Sequence, residues 1–267
     1  MRPEYLDWLV YEKNVVTSEG KQISVYELTI KDDDAILDEW AAHLRRHYCA
    51  DSEIDILRAG CGLERNEYLK TIKFPDRKKV PGPSVRAGDF TEILVADYVQ
   101  YLLDYVVPRT RYDRKVNRNS STMGSDLIGY KCGKKISQTD ELIVFEVKAC
   151  ASECLPSSSA RLQKAIDDSD KDVLRLAETL NAVVQRLLDR HDFETAKQVQ
   201  RFQNCTDTPY QKRFAAAVVH SNKSYSEGLV KKVSTKNHTD PDLTLVVIHC
   251  NKLMAFIHDM YERACEH

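Results

Sequence analysis

The chain has 267 residues, 42% apolar and 30% charged, enough apolar material for a sizeable core and too much for wholesale disorder. A net charge of −2 excludes a globally basic nucleic-acid binder, so any such contact must come from local basic patches. No apolar run approaches the length of a membrane span and Met1-Arg2-Pro3-Glu4 does not open a signal peptide; eight scattered cysteines without a CxxC pair then read as reduced thiols in a cytoplasm.

Residues 1–84 read as a small N-terminal α/β region, and 85–267 as the main domain. Ile23 to Ile30 alternates as a strand. The acids Asp32, Asp33 and Asp34 then cap a helix from Ala35 to Tyr48, with Ile36, Leu37, Trp40, Ala41 and Leu44 along one stripe. His43 and His47 lie one helical turn apart. They could ligate zinc with Cys49 or Cys61, although such a pair is more often only the polar face of a helix. From Leu69 to Arg86 the chain carries Lys70, Lys73, Arg77, Lys78 and Lys79 with Pro75, Pro81, Gly82 and Pro83, a density that marks a connector.

Gly88-Asp89-Phe90-Thr91-Glu92 opens a helix running to about Tyr105. Asp89 suits its N-cap, and Glu92 falls at the third position, as in a capping box. Glu92 also heads a buried stripe with Val95, Ala96, Val99 and Leu103, which turns its carboxylate inward. The next segment, Val106 to Arg118, carries Arg109, Arg111, Arg114, Lys115 and Arg118 around Tyr112, against one acid, Asp113. It reads as an edge that contacts phosphates, or as a solvated strand and loop.

The chain then reaches Gly124-Ser125-Asp126-Leu127-Ile128-Gly129-Tyr130 and, after a polar turn, Glu141 to Ala149. The second stretch is β-branched, aromatic and apolar on both faces, the pattern of a strand covered above and below. Glu146 and Lys148 are two apart and so share a face of it. In an antiparallel hairpin Asp126 sits beside Glu146. Two adjacent carboxylates repel unless a proton or a cation intervenes, and Mg²⁺ or Mn²⁺, hard ions that prefer oxygen, would hold them together.

Beyond Lys148, Cys150 to Ser159 reads as a loop. A helix starts near Ser158 with Arg161, Gln163 and Lys164 in its early turns, and a strongly amphipathic helix runs from Lys171 to Arg190. Asp192 to Asn204 reads as another helix, Phe214 to His220 and Leu243 to Cys250 as strands, and Lys252 to Glu266 as the last helix. His220 and His249 end their strands and read as core histidines. No Walker loop or GxGxxG occurs.

Asp126, some twenty residues, then Glu146-Val147-Lys148 at the end of an apolar strand is the pattern of the PD-(D/E)XK nuclease superfamily. Adding Gly88-Asp89-Phe90-Thr91-Glu92, Arg161-Leu162-Gln163-Lys164, Asp167-Asp168-Ser169 and Lys171-Asp172, residues 85–267 resemble the HamA family, the nuclease subunit of the Hachiman antiphage defence system. The resemblance implies an α/β restriction-endonuclease-like fold, a mixed sheet flanked by helices. It implies a metal held by Asp126, Glu146 and the Val147 carbonyl, with Glu92 completing the site, and Lys148 orienting the attacking water. Arg161, Gln163 and Lys164 would hold phosphates. It also implies a helicase partner, HamB, that restrains the nuclease until aberrant DNA is met, and cleavage of DNA without sequence specificity. An inactive nuclease-fold module regulating a helicase, or an RNase on the same fold, are the alternatives.

Overall fold

The computed structural model describes residues 2–153 and 158–266, without the side chains of 158–160, so the expected loop from Cys150 to Ser159 lies partly outside the described residues. Two hairpins flank a parallel centre. β1 (Leu9–Val16) pairs antiparallel with β2 (Gln22–Leu28), and β3 (Leu127–Lys131) with β4 (Glu141–Cys150). β5 (Gln211–Ser221) and β6 (Thr244–Cys250) lie between them, giving a six-stranded sheet of order β1-β2-β6-β5-β4-β3. β2, β6, β5 and β4 run parallel to one another. Parallel strands are covered on both faces, which is why β5 and β6 are apolar without alternation.

Residues 1–84 share this sheet and its core with the rest of the chain. Ile23 pairs with Leu245, and the Trp40 ring packs on Phe90 and Phe256. β1 was not legible in the sequence. It is an edge strand whose Val10 and Tyr11 are exposed, so its apolar alternation is weak.

The helices are α1 (Asp34–Tyr48), α2 (Ile54–Cys61), α3 (Arg65–Tyr68), α4 (Gly82–Tyr101), α5 (Ser158–Asp189), α6 (Phe193–Gln200), α7 (Glu227–Val230) and α8 (Leu253–Glu266). α1, α4 and α8 cover one face of the sheet, against Phe145, Val147, Ala217 and Ile248. α5 and α6 cover the other, against Leu142, Val144, Ala216 and Val247. Asp33 caps α1 as expected, its carboxylate accepting from the Ile36 amide at 3.3 Å.

Two expectations change. α4 begins at Gly82, not near Asp89, because Pro83 stands in its first turn, where a proline is pre-shaped for a helix start. Asp89 is therefore no cap, and Glu92 no capping-box partner. Asp89 is buried mid-helix and accepts from the Tyr48 hydroxyl at 2.6 Å. The two helices expected after Lys148 are one continuous helix, α5. Among the described residues, no helix is long and apolar enough to cross a membrane.

Candidate active site

The β3–β4 register sets the site. Leu127 lies opposite Phe145, so the next step along β3 brings Asp126 alongside Glu146. Asp126 Oδ2 accepts from the Val147 amide at 3.0 Å, which fixes the carboxylate against the strand. Gly124 turns the chain into β3 at a φ of 89°, a left-handed conformation that favours glycine. The Ser125 amide that follows donates to Thr179 Oγ1 of α5 at 3.2 Å. Gly129 lets α4 approach: a Cβ there would lie 3.0 Å from Val99 and 3.1 Å from Tyr105.

Strand periodicity puts Glu146 and Lys148 on the face of Leu142 and Val144, towards α5. The Lys148 ammonium donates to Glu146 Oε1 and ion-pairs with Asp168 of α5 at 3.2 Å. Glu92 belongs to α4, on the other face of the sheet, and reaches the end of β3 through Arg111. The Arg111 guanidinium lies 3.3 Å from Glu92 and 3.2 Å from Asp126, and also donates to the Ser125 carbonyl. The Tyr112 hydroxyl donates to Glu92 at 2.6 Å.

α5 adds acids that sequence reasoning gave no role. Asp168 bonds Lys148, Lys164 and Lys171. Asp172, one turn on, is buried beside Ser125 and Glu146, with Arg175 at 3.8 Å. The available signal was the spacing Asp168, Asp172, Arg175, Thr179, which is one face of a helix. Dividing α5 at Lys171 hid it.

Asp126 is the electrostatic centre. Burial, then the Asp126 charge, push Glu146 up to about 8 against the pull of Lys148. The same two causes push Glu92 up to about 8 against Arg111, and Asp172 up to about 6 against Arg175. Burial works against the Lys148 charge, but Glu146, Asp126 and Asp168 hold it above its ordinary value. Asp168 goes the other way: burial would raise it, yet Lys171, Lys164 and Lys148 hold it well below the usual carboxylate range.

Asp126, Glu146, Glu92 and Asp172 thus outnumber Arg111, Lys148 and Arg175, the cations beside them, and the surplus is relieved by a proton or by a further cation. The donors are all carboxylate oxygens, and Glu146 and Asp172 are buried beside Asp126 with too little positive charge to balance them, so the residues fit a hard divalent ion. The acids are gathered without closing on one point. Among the described residues, the only trio of His, Cys, Asp or Glu with ligand atoms within 4.8 Å of one another lies elsewhere, at His43, His47 and Asp97.

Of these acids Glu92 and Asp126 line a cleft of about 540 Å³, together with residues 107–112, 114–116 and 120–125 and the Arg175–Arg186 side of α5, whereas Glu146, Lys148, Asp168 and Asp172 lie outside its lining. Arg109, Arg111, Arg114 and Lys115 line it, each already paired. Arg109 bonds Asp97 at 2.8 Å, Arg114 bonds Glu53 at 3.0 Å, and Lys115 is buried on Asp89. Arg114 is about half exposed and can exchange its partner for a phosphate; Lys115 cannot do so without breaking a buried pair. Arg161, Gln163 and Lys164 do not line the cleft. Arg161 is exposed, Lys164 pairs with Asp168 at 3.0 Å, and the Gln163 amide braces the Ser234 backbone at 2.9 and 3.0 Å. Arg175 and Arg186, not singled out in the sequence, do line it.

A family model described as HamA matches residues 3–264, extending the resemblance through the N-terminal region. No curated protein matches the chain.

Proposed function

The chain belongs to the HamA family, which gives it a role in antiphage defence, and on that premise we propose that it is a metal-dependent DNA endonuclease governed by a helicase subunit. Asp126, Glu146 and the Val147 carbonyl would hold Mg²⁺ or Mn²⁺, with Glu92 or Asp172 as a further oxygen donor. The bound ion supplies Lewis acidity at the phosphoryl oxygen and a more acidic water.

The remaining work falls to the chain itself. Lys148 brings a fixed ammonium to where negative charge develops, and Asp168 keeps it charged and aimed. Burial of Glu146 beside Asp126 makes its carboxylate costly without a cation, so ion binding strengthens as pH rises towards 8. Arg114, Arg175 and Arg186 along the cleft would follow the phosphate backbone.

The observation that carries this reading is the buried acidic surplus around Asp126, with Lys148 beside it, at the wall of a cleft edged with arginines. The test is incubation of plasmid, single-stranded DNA and RNA with Mg²⁺, with and without the neighbouring helicase. Wild type should cut DNA under activating conditions, while Glu146→Ala and Lys148→Ala fold and bind the partner but do not cut. Undiminished cleavage by Glu146→Ala would refute the site.

One observation favours a second reading, an inactive nuclease-fold module that regulates the helicase. Arg111 already neutralises Glu92 and Asp126. On that reading the protein shows no Mn²⁺ affinity that depends on Asp126 and Glu146.

A further inference from the structure

Away from the acidic cluster, three side chains meet between α1 and α4. His43 and His47 project from the same side of α1, and Asp97, fully buried on α4, faces them. His43 Nε2 lies 3.1 Å from Asp97 Oδ1 and 3.2 Å from His47 Nε2. An imidazole nitrogen carries one in-plane lone pair or one N–H, so it can be aimed at only one of those partners. If the His43 N–H points to Asp97, His47 Nε2 faces a nitrogen with nothing left to offer. If it points to His47, or is absent, a lone pair faces the carboxylate. A cation at the common point accepts a lone pair from all three atoms and removes the conflict.

The spacing suits an ion of definite size. Ligands at about 2.0–2.1 Å from a tetrahedral zinc are about 3.3 Å from one another. The two separations observed, 3.1 and 3.2 Å, are close to that edge. Two imidazoles and one carboxylate form a borderline donor set, suited to Zn²⁺ and its neighbours, whereas Mg²⁺ prefers oxygen alone. The carboxylate is braced as metal-bound carboxylates are: the Tyr5 hydroxyl donates to Oδ2 at 2.7 Å and Arg109 to Oδ1 at 2.8 Å. Arg109 has a second anchor in Gln100 Oε1, at 2.8 and 3.0 Å, so the carboxylate does not hold it alone. His47 lines the cleft, from which water can fill a fourth position.

We propose that His43, His47 and Asp97 form a structural site for a zinc-class divalent ion, separate from the all-oxygen cluster at Asp126. The ion joins α1, in the N-terminal 84 residues, to α4, the helix that carries Glu92. Cys49 and Cys61, the partners that sequence proximity suggested, take no part; Asp97 replaces them.

The test uses the full chain, stripped of metal and kept in excess Mg²⁺ so that oxygen sites are filled, then titrated with Zn²⁺ and, separately, Co²⁺. One equivalent should bind, raise the melting temperature, and with Co²⁺ give the intense visible absorption of a four-coordinate site containing nitrogen. His43→Gln and His47→Gln should each lower Zn²⁺ affinity at least 100-fold, while Asp126→Asn leaves it unchanged. Circular dichroism confirms that each variant is folded, and the wild-type titration stands even if one is not. The proposal is overturned if wild type takes up no Zn²⁺, or if uptake survives both histidine substitutions or is lost in Asp126→Asn.

Discussion

Replacing Glu146 with Gln removes a charge and almost nothing else, and its effect should depend on pH in a defined direction. The Glu146 carboxyl titrates at about 8 in the folded protein, against an ordinary value of 4.5. A raised carboxyl value means that the folded state keeps a proton which the unfolded chain surrenders. The stability so gained is complete below pH 4.5 and is lost as pH rises towards 8. At 1.36 kcal/mol per unit, that interval sets a ceiling of about 5 kcal/mol. Asp126 shares its charge with Glu92 and Asp172, so the part belonging to Glu146 alone is smaller, about 2–3 kcal/mol.

Gln is neutral at every pH and still offers Lys148 an acceptor, and Asp168 remains to balance the ammonium. Wild type and Glu146→Gln should therefore be about equally stable at pH 5, while the variant melts several degrees higher at pH 8.5. Denaturation in EDTA across that range measures the difference. Adding Mn²⁺ at pH 8 should raise the melting temperature of wild type and have much less effect on the variant. Wild-type stability that is flat from pH 5 to 8.5, or a variant less stable than wild type at pH 8.5, would refute the account of Glu146 as a buried, uncompensated acid.

Arg111→Met removes the cation between Glu92 and Asp126, and should tighten Mn²⁺ binding several-fold by calorimetry while lowering stability above pH 8. Asp168→Asn takes away the carboxylate that aims Lys148. It should cut single-turnover DNA cleavage about 10- to 100-fold with DNA affinity unchanged, whereas an equal loss of affinity would point to misfolding. Arg175→Ala and Arg186→Ala should weaken DNA binding across all sequences, each lowering the slope of log affinity against log salt by about one. A slope that does not move would remove α5 from the interface.

Much of the site was readable because it is local. A period of two places Glu146 and Lys148 on one face of β4, and a short polar turn between two apolar runs implies the hairpin that seats Asp126 beside them. Asp33 as cap of α1, and the helical spacing of His43 and His47, are equally local. Periodicity says which residues share a face, but not what stands across from that face. Only the tertiary structure joined α5 into one helix and set Asp168 and Asp172 against β4, placed Arg111 between two acids, and brought Asp97 to the histidines. The same limit governs the basic residues. Charge is written in the sequence, but Lys115 buried on Asp89 and Arg114 paired with Glu53 are held by partners 26 and 61 residues away. Whether a charge is free to meet a ligand depends on such distant packing, which no local pattern records.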